Sequence, residues 1–172
     1  MSYTFIKDKL SKIKIIVTDI DGVLTNGKIT YSNDGSISKQ FCIYDGLLVK
    51  PMIDKYNLKF LAVTGRDDKI NTLRLLPLGY TEVIVSRNKI EDIKKIAINY
   101  NITLSEILYI GDDVIDLEPL RAVGVSISCK SAPKYIQDEA DYVTDSAGGE
   151  GVLREVLELL VKSHGDDILE IF

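Results

Sequence analysis

Apolar runs and amphipathic segments alternate along the chain. Short runs with no polar face are typical of strands buried on both sides of a sheet. This pattern predicts strands at Ile15–Thr18, Leu58–Val63, Glu82–Val85, Ile107–Ile110, Val125–Ser128 and Tyr142–Thr144. Helical spacing predicts helices at Tyr3–Ser11, Asp45–Tyr56, Asp67–Leu78, Asn88–Tyr100, Gly111–Ala122, Ala132–Asp138 and Val152–Lys162. The alternation indicates an α/β fold, a three-layer Rossmann-like parallel sheet with helices on both faces.

Residues 27–42 interrupt this alternation. Polar and apolar residues alternate on either side of Asp34-Gly35, which predicts a small β-hairpin. Pro51 is expected to make its helix irregular, and Asn88 is expected to cap the helix that follows it. Because no linker or internal repeat interrupts the pattern, residues 1–172 are expected to form one domain with the hairpin as its only excursion.

Composition narrows the classes of function. The 172 residues are 45% hydrophobic and carry a formal net charge of −5, which argues against a nucleic-acid or anionic-membrane surface. Cys42 and Cys129 are too few for a disulfide framework, and the lack of a signal peptide or a membrane-spanning apolar run favours the cytoplasm. Since His164 is the only histidine, the usual zinc sites and histidine-based triads are hard to build.

The first strand ends in two carboxylates, Asp19 and Asp21, followed by Gly22. Ligands of open parallel sheets bind outside the carboxyl ends of the strands, so both acids are expected to face a crevice. Two acids this close repel each other unless a cation lies between them. Mg²⁺ is the expected cation, because it prefers carboxylate, carbonyl and water oxygens.

Other predicted strands also end in groups with useful chemistry. Thr64-Gly65 offers a hydroxyl and an accessible backbone N–H for phosphate oxygens, and Lys89 offers a compact positive charge. Asp112 could complete a metal site opposite the first strand, with Asp113 and Asp116 as helix caps or supporting partners. Taken one at a time, an ordinary turn or a solvated lysine explains Thr64-Gly65 and Lys89 equally well. The order of all four motifs is what favours a site.

In this order the motifs resemble those of the haloacid dehalogenase superfamily of phosphatases, over roughly residues 13–158. The resemblance implies that Asp19 is the nucleophile that forms an aspartyl-phosphate and that Asp21 is the general acid and base. It also implies that Asp19, the backbone carbonyl of Asp21 and Asp112 hold Mg²⁺. Thr64, Gly65 and Lys89 are then expected to bind the phosphate.

The chain has no insertion large enough to form the cap domain of larger superfamily members, so the crevice is expected to be open. It is most similar to the capless branch of 3-deoxy-D-manno-octulosonate 8-phosphate phosphatases, in which the hairpin of one subunit completes the site of another in a tetramer. The resemblance therefore implies a homotetramer. The motifs shared with this branch are Asp19–Thr25, Tyr44–Gly46, Gly111–Asp116 and Gly148–Glu155.

By position, the resemblance assigns substrate binding to five residues: Asp45, Gly46, Lys50, Arg66 and Arg74. The chain departs from the branch where Cys42 and Tyr44 replace the usual Asn and Arg and where Lys50 replaces an Arg. The loop before Lys89 is also one residue shorter. A lysine cannot replace the bidentate grip of an arginine on a carboxylate, so these departures bear on the identity of the substrate.

The expected substrate is a small phosphorylated 2-keto sugar acid. One alternative substrate and two alternative functions are considered beside it. A related capless branch hydrolyses sialic-acid-like 9-phosphates, whose phosphate is also far from the keto acid. A non-catalytic member that binds phosphorylated ligands or acts as a scaffold is disfavoured because both Asp19 and Asp21 are present. A two-component receiver domain is disfavoured by the hairpin and by the second acidic site at Asp112.

Overall fold

The computed structural model describes residues 3–171 of the chain. Its eight strands are β1 Ile15–Thr18, β2 Thr30–Tyr31, β3 Ile37–Ser38, β4 Lys59–Thr64, β5 Glu82–Val85, β6 Ile107–Gly111, β7 Val125–Ser128 and β8 Tyr142–Val143. The α-helices are α1 Tyr3–Leu10, α2 Ile43–Leu47, α3 Val49–Tyr56, α4 Lys69–Leu75, α5 Lys89–Asn99, α6 Leu117–Ala122, α7 Lys134–Gln137 and α8 Val152–His164. The predicted alternation of strands and helices is confirmed, with element ends that differ by a few residues.

Six strands form one parallel sheet in the order β5-β4-β1-β6-β7-β8. The strand β1 lies inside this sheet, pairing with β4 from Ile15 to Thr18 on one side and with β6 on the other. Because all the strands run in the same direction, their carboxyl ends meet at one edge of the sheet. The acids that follow β1 and β6 therefore emerge side by side.

Alternate residues of the strands build two hydrophobic layers. Ile16 packs in a cluster with residues of α1, α3 and α8, whereas Ile15 and Val17 pack with residues of α5 and α6 on the other face. This arrangement confirms the predicted three-layer α/β fold, and it explains why the central strands have no polar face. The edge strands β5 and β8 are the exceptions, because every one of their residues is at least partly exposed.

Three helices differ from their predicted form. The helix predicted at Gly111–Ala122 begins only at Leu117, because Gly111 ends β6 and residues Val114–Asp116 form a 3₁₀ turn. The segment predicted at Asp45–Tyr56 begins earlier and is divided into α2 and α3 at Leu48, and Pro51 lies in the first turn of α3, where a missing N–H costs no hydrogen bond. The prediction that Asn88 caps α5 is wrong, since its side chain makes no capping hydrogen bond. Asn88 does precede the first residue of α5, but the backbone conformation there does not bring its side chain to the free N–H groups of the helix.

The hairpin forms as predicted, although β2 and β3 are only two residues long and pair at Thr30–Ser38 and Tyr31–Ile37. It stands apart from the main sheet as a separate two-stranded sheet. In the described part of the chain, no helix has both the length and the apolar character needed to cross a membrane.

The turn at Gly148-Gly149 supports the loop that follows β1. The Gly149 N–H donates to the Val23 carbonyl at 2.9 Å, and a Cβ atom added to Gly148 would lie 1.9 Å from the Gly22 carbonyl oxygen. Only glycine allows two backbone segments to approach this closely. The turn thus fixes the loop that carries the first pair of acids.

We expect Gly148→Ala to lower the free energy of unfolding by about 1–3 kcal/mol, because the added methyl group forces backbone atoms apart. Urea denaturation measures the change. Gly65→Ala is a suitable comparison, since Gly65 also has no left-handed φ and an added Cβ there would make only an ordinary contact, 3.8 Å from the Arg87 side chain. Equal stability losses for the two variants would show that the contact with Gly22 carries no cost.

Candidate active site

Asp19 is the first residue after β1 and is almost fully buried. Its backbone N–H donates to the Ile110 carbonyl of β6 at 2.8 Å, and its Oδ1 accepts the Ile20 N–H at 2.7 Å. Sheet pairing therefore fixes the backbone, and the start of the following turn fixes the carboxylate. Its other oxygen, Oδ2, lies 3.0 Å from the Lys89 ammonium.

Lys89, the first residue of α5, joins the ends of β1 and β6. Its side chain has no exposed surface, and its ammonium lies 2.7 Å from Asp116 Oδ1 as well as 3.0 Å from Asp19 Oδ2. A buried lysine requires such partners, because an isolated charge in a protein interior is very costly. Although burial lowers it, the charges of Asp19 and Asp116 raise the pKa of Lys89 above its usual value, so the side chain is an ammonium.

Asp116 is the central acceptor of this network. Besides Lys89, it accepts the hydroxyl of Tyr109, and its Oδ2 accepts the backbone N–H groups of Asp112 at 3.0 Å and Asp113 at 3.1 Å. These bonds hold the loop after β6 in place. Asp116 thus accepts hydrogen bonds from the loop that carries Asp112, and Asp113 caps the same turn through the Val114 N–H.

Carboxylate oxygens of Asp19, Asp112 and Asp116 lie within 4.8 Å of one another. Asp112 Oδ1 is buried and has no hydrogen-bond partner among the described residues. Burial raises the pKa of Asp19 to about 6, and burial together with the charges of Asp19 and Asp116 raises the pKa of Asp112 to about 8. An unpartnered carboxylate oxygen among acids that repel each other fits a hard divalent cation.

Close packing brings Asp112 to the first acidic loop. Gly22 has a φ of 99°, and a Cβ atom added there would lie 2.0 Å from Asp112 Oδ2. The glycine that the sequence placed after Asp21 thus has two roles, since it turns the chain and leaves room for the facing carboxylate.

An open cleft of about 370 Å³ lies over the acids. Many of the residues singled out from the sequence line this cleft. The cleft is lined by Asp19, Asp21, Thr64, Gly65, Arg66, Arg87, Asp112, Asp113 and Ile115. All four sequence motifs therefore meet at one place, with Lys89 buried directly beneath Asp19.

Four residues assigned to substrate binding by resemblance lie elsewhere in the subunit. Asp45 and Arg74 line a separate small cavity, and the Arg74 guanidinium donates to the Cys42 carbonyl at 3.1 Å. Gly46 packs against Leu78, where an added Cβ would lie 2.7 Å from the Leu78 side chain. Lys50 is exposed and pairs with Asp54. Only Arg66 of the five lines the cleft.

Sequence reasoning missed several residues of the site. The buried Lys39 binds Asp21, and Arg87 lines the cleft. Lys39 occupies an alternating position of the hairpin that looks like any solvated lysine, so its sequence context contained no signal. Arg87 lies two residues before Lys89 in a loop that follows a strand, which is a position where binding residues are common.

Comparison with known proteins identifies relatives that cover most of this chain. The family described as haloacid dehalogenase-like hydrolase matches residues 79–156. The 3-deoxy-D-manno-octulosonate 8-phosphate phosphatase of Haemophilus influenzae is 33% identical over 163 residues, which cover 92% of this chain and 88% of that protein. Its counterpart in Escherichia coli K12 is 32% identical over 158 residues, covering 91% and 84% of the two chains.

Solved structures agree as well. The same kind of phosphatase from Moraxella catarrhalis, in complex with magnesium, phosphate and 3-deoxy-D-manno-octulosonate (KDO), superimposes with a TM-score of 0.89 at 32% identity, covering 92% of this chain and 91% of that one. The cobalt-bound Haemophilus influenzae enzyme superimposes with a TM-score of 0.86 at 32% identity, covering 91% and 92%.

Asp45 contributes to the pH dependence of stability. It is almost fully buried, and burial raises its pKa to about 6, although hydrogen bonds from the backbone N–H groups of Arg154 and Leu153 and the charge of Arg74 lower it. Since this carboxyl binds its proton more tightly in the folded state, its stabilising contribution is complete below about pH 4 and is lost as the pH rises through 6. The difference in free energy is on the order of 3 kcal/mol.

Asp45→Asn is therefore expected to flatten the decline in stability between pH 4 and 6, because its amide oxygen can still accept the Arg154 N–H but cannot ionise. Urea denaturation across this range measures the effect. Asp54→Asn, at an exposed position of α3, is the control. The account of Asp45 is wrong if the wild type and the Asp45 variant lose stability in parallel.

Proposed function

The chain belongs to the haloacid dehalogenase-like hydrolases, among the 3-deoxy-D-manno-octulosonate 8-phosphate phosphatases, and from this membership we propose how its residues perform the hydrolysis. It is a phosphatase, an enzyme that hydrolyses phosphoric monoesters. The proposed substrate is KDO 8-phosphate, with Mg²⁺ as the cofactor. The observation that carries the proposal is the meeting of Asp19 and Asp112 at one cleft, with the Lys89 ammonium buried beside Asp19.

Asp19 is proposed as the nucleophile. Its carboxylate oxygen attacks phosphorus and forms an aspartyl-phosphate, while the bond between phosphorus and the sugar oxygen breaks. Lys89 lies 3.0 Å from that carboxylate, and its positive charge offsets part of the repulsion between the carboxylate and the anionic phosphate. The hydrogen bond from Ile20 holds the carboxylate so that one oxygen stays directed into the site.

Asp21 is proposed as the general acid and base. It lines the cleft two residues beyond Asp19, and it gives a proton to the leaving sugar alkoxide. In the second half of the reaction it takes a proton from the water that attacks the aspartyl-phosphate, which releases inorganic phosphate and restores both carboxyl groups. Thr64 and the Gly65 N–H, at the end of β4, are proposed to bind the phosphate oxygens.

Mg²⁺ fits the donor set of this site. Asp19, Asp112 and the backbone carbonyl of Asp21 are proposed to hold it, and when bound it supplies positive charge that lowers the repulsion between a carboxylate and an anionic ester. Asp116 is fully occupied by hydrogen bonds and Lys89, so it is proposed to orient Asp112 from behind.

The sugar acid is proposed to lie toward the mouth of the cleft. Arg66 lines the cleft there, although its Nε already lies 3.2 Å from Asp68 and its guanidinium also contacts the Tyr31 hydroxyl. Arg87 lines the same mouth and makes no ion pair with any described residue. Its guanidinium can therefore bind a substrate carboxylate in a bidentate geometry. That carboxylate is the group that the arginines replaced in this chain would otherwise bind.

The proposed location is the cytoplasm, and the proposed assembly is a homotetramer with the hairpin at the interface. An apolar patch supports self-association, formed by Ile43, Tyr44 and Leu47 on α2 and by Leu73 on α4. These helices are neighbours, and Ile43 and Leu73 are 71% and 75% exposed. A neighbouring subunit on this face would cover these apolar side chains.

We expect Asp19→Asn to lower kcat by at least about 10³-fold with KDO 8-phosphate, because an amide cannot form the covalent intermediate. Phosphate release measures turnover, and EDTA is expected to abolish it until Mg²⁺ is restored. Asp8→Asn, an exposed change on α1, is the control. Full turnover by the Asp19 variant would disprove the covalent mechanism.

A substrate panel tests the sugar assignment separately. KDO 8-phosphate and a sialic-acid-like 9-phosphate are both included, together with simple sugar phosphates that have no carboxylate. The highest kcat/KM is expected for KDO 8-phosphate. A preference for the nine-carbon substrate would keep the mechanism and change the substrate, whereas binding without turnover of any ester would indicate a non-catalytic protein.

Light scattering is expected to give the mass of a tetramer at micromolar concentration. Replacing Ile43 and Leu73 together by lysine is expected to yield smaller species, since buried charges without partners destabilise an apolar interface. Ile98→Lys, at an exposed apolar position of α5, is the matched control. A monomeric wild type would contradict the proposed assembly.

A further inference from the structure

Lys39 is a second buried lysine at the site, and it comes from the segment that follows β3. Its side chain has no exposed surface. The ammonium lies 2.8 Å from Asp21 Oδ1 and 2.9 Å from Asp68 Oδ2, and it donates to Asn71 Oδ1 at 3.3 Å. It also donates to Asp21 Oδ2 at 2.9 Å, so both oxygens of Asp21 and the side chains of Asp68 and Asn71 surround the ammonium as acceptors.

This arrangement determines where the Asp21 carboxylate lies. The other contacts of that carboxylate are longer, 3.5 Å from the Thr25 hydroxyl and 3.9 Å from Arg66 Nε. Asp68 and Asn71 belong to the start of α4, whereas Lys39 belongs to the hairpin. Lys39 therefore joins the hairpin, α4 and the loop after β1 at a single point.

Burying an ammonium and two carboxylates is costly, and mutual pairing recovers that cost only when the geometry is good. A lysine required merely to attach the hairpin could be replaced by apolar packing. Lys39 instead contacts the one carboxylate that the proposed reaction uses for proton transfer. Proton transfer is sensitive to the distance and the direction between donor and acceptor.

We propose that Lys39 is a positioning residue for Asp21, which it holds in the place from which the acid protonates the leaving sugar oxygen. This inference rests on the proposed function, because it takes Asp21 as the general acid. It adds a residue from the hairpin to the proton-transfer apparatus, although Lys39 itself does not line the cleft.

The proposal predicts a defect that depends on the leaving group. A sugar alkoxide is strongly basic and needs a proton as it departs, whereas p-nitrophenolate is stable without one. kcat/KM reports the steps up to departure of the leaving group, so it does not include the later use of Asp21 as a base. Loss of the positioning residue should therefore lower kcat/KM for sugar phosphates far more than for p-nitrophenyl phosphate.

Lys39→Met keeps the length of the side chain and removes the charge. We expect kcat/KM to fall by about 10²-fold with KDO 8-phosphate and by less than about 5-fold with p-nitrophenyl phosphate. Lys12→Met is the control, since Lys12 is exposed and lies outside the hairpin, and it should leave both values unchanged. Lys39→Arg, which restores a cation, should recover part of the loss with the sugar phosphate.

Binding of beryllofluoride in the presence of Mg²⁺ separates positioning from collapse of the site. This phosphate analogue binds to the nucleophile and needs no proton transfer, so Lys39→Met should bind it within about 3-fold of the wild type. Equal losses of kcat/KM with both esters, a loss of beryllofluoride binding, or unchanged activity with both esters would each overturn the proposal.

Asp21→Asn is the reference that separates the two proposals. It should show the same dependence on the leaving group as Lys39→Met. If Asp21→Asn shows no such dependence, the assignment of Asp21 in the proposed function fails. If Asp21→Asn shows it and Lys39→Met does not, only the role of Lys39 is wrong.

Discussion

The site depends above all on the buried ammonium of Lys89, which lies between Asp19 and Asp116 at the joined ends of β1 and β6. Without a cation there, three carboxylates could not share a space within 4.8 Å in the folded protein. The parallel sheet makes this crowding unavoidable, because it delivers every strand end to the same edge. The charge balance is therefore a condition both for folding this edge and for bringing a carboxylate to an anionic ester.

A second cation serves the neighbouring acid in a similar way. Lys39 pairs with Asp21 and Asp68, so each acid that the proposed mechanism uses is attached to a buried lysine from a different part of the chain. The glycines of the loops allow the close approach that this requires, as at Gly22 beside Asp112 and at Gly148 beside Gly22. Charge and close packing together leave the carboxylates of Asp19 and Asp21 few positions to occupy.

The proposed self-association bears on both the open cleft and the apolar patch on α2 and α4. A phosphatase without a cap excludes water poorly, and the residues that resemblance assigns to the sugar acid lie mostly outside the cleft of one subunit. In the proposed tetramer, a second subunit would cover the exposed apolar residues of α2 and α4. Arg87, which follows the edge strand β5, offers a contact within the same subunit.

The sequence alone determined the order of the elements and the strand ends at which the candidate site residues lie. Apolar runs predicted the buried strands, and Asp19, Asp112 and Lys89 could be placed at one edge because parallel strands must end there. Local pattern could not reveal Lys39, the division of the helix at Leu48 or the position of Asp45, since each depends on what packs against it from distant parts of the chain. Only the tertiary structure decided these, because burial and pairing of charges arise from contacts between residues far apart in sequence.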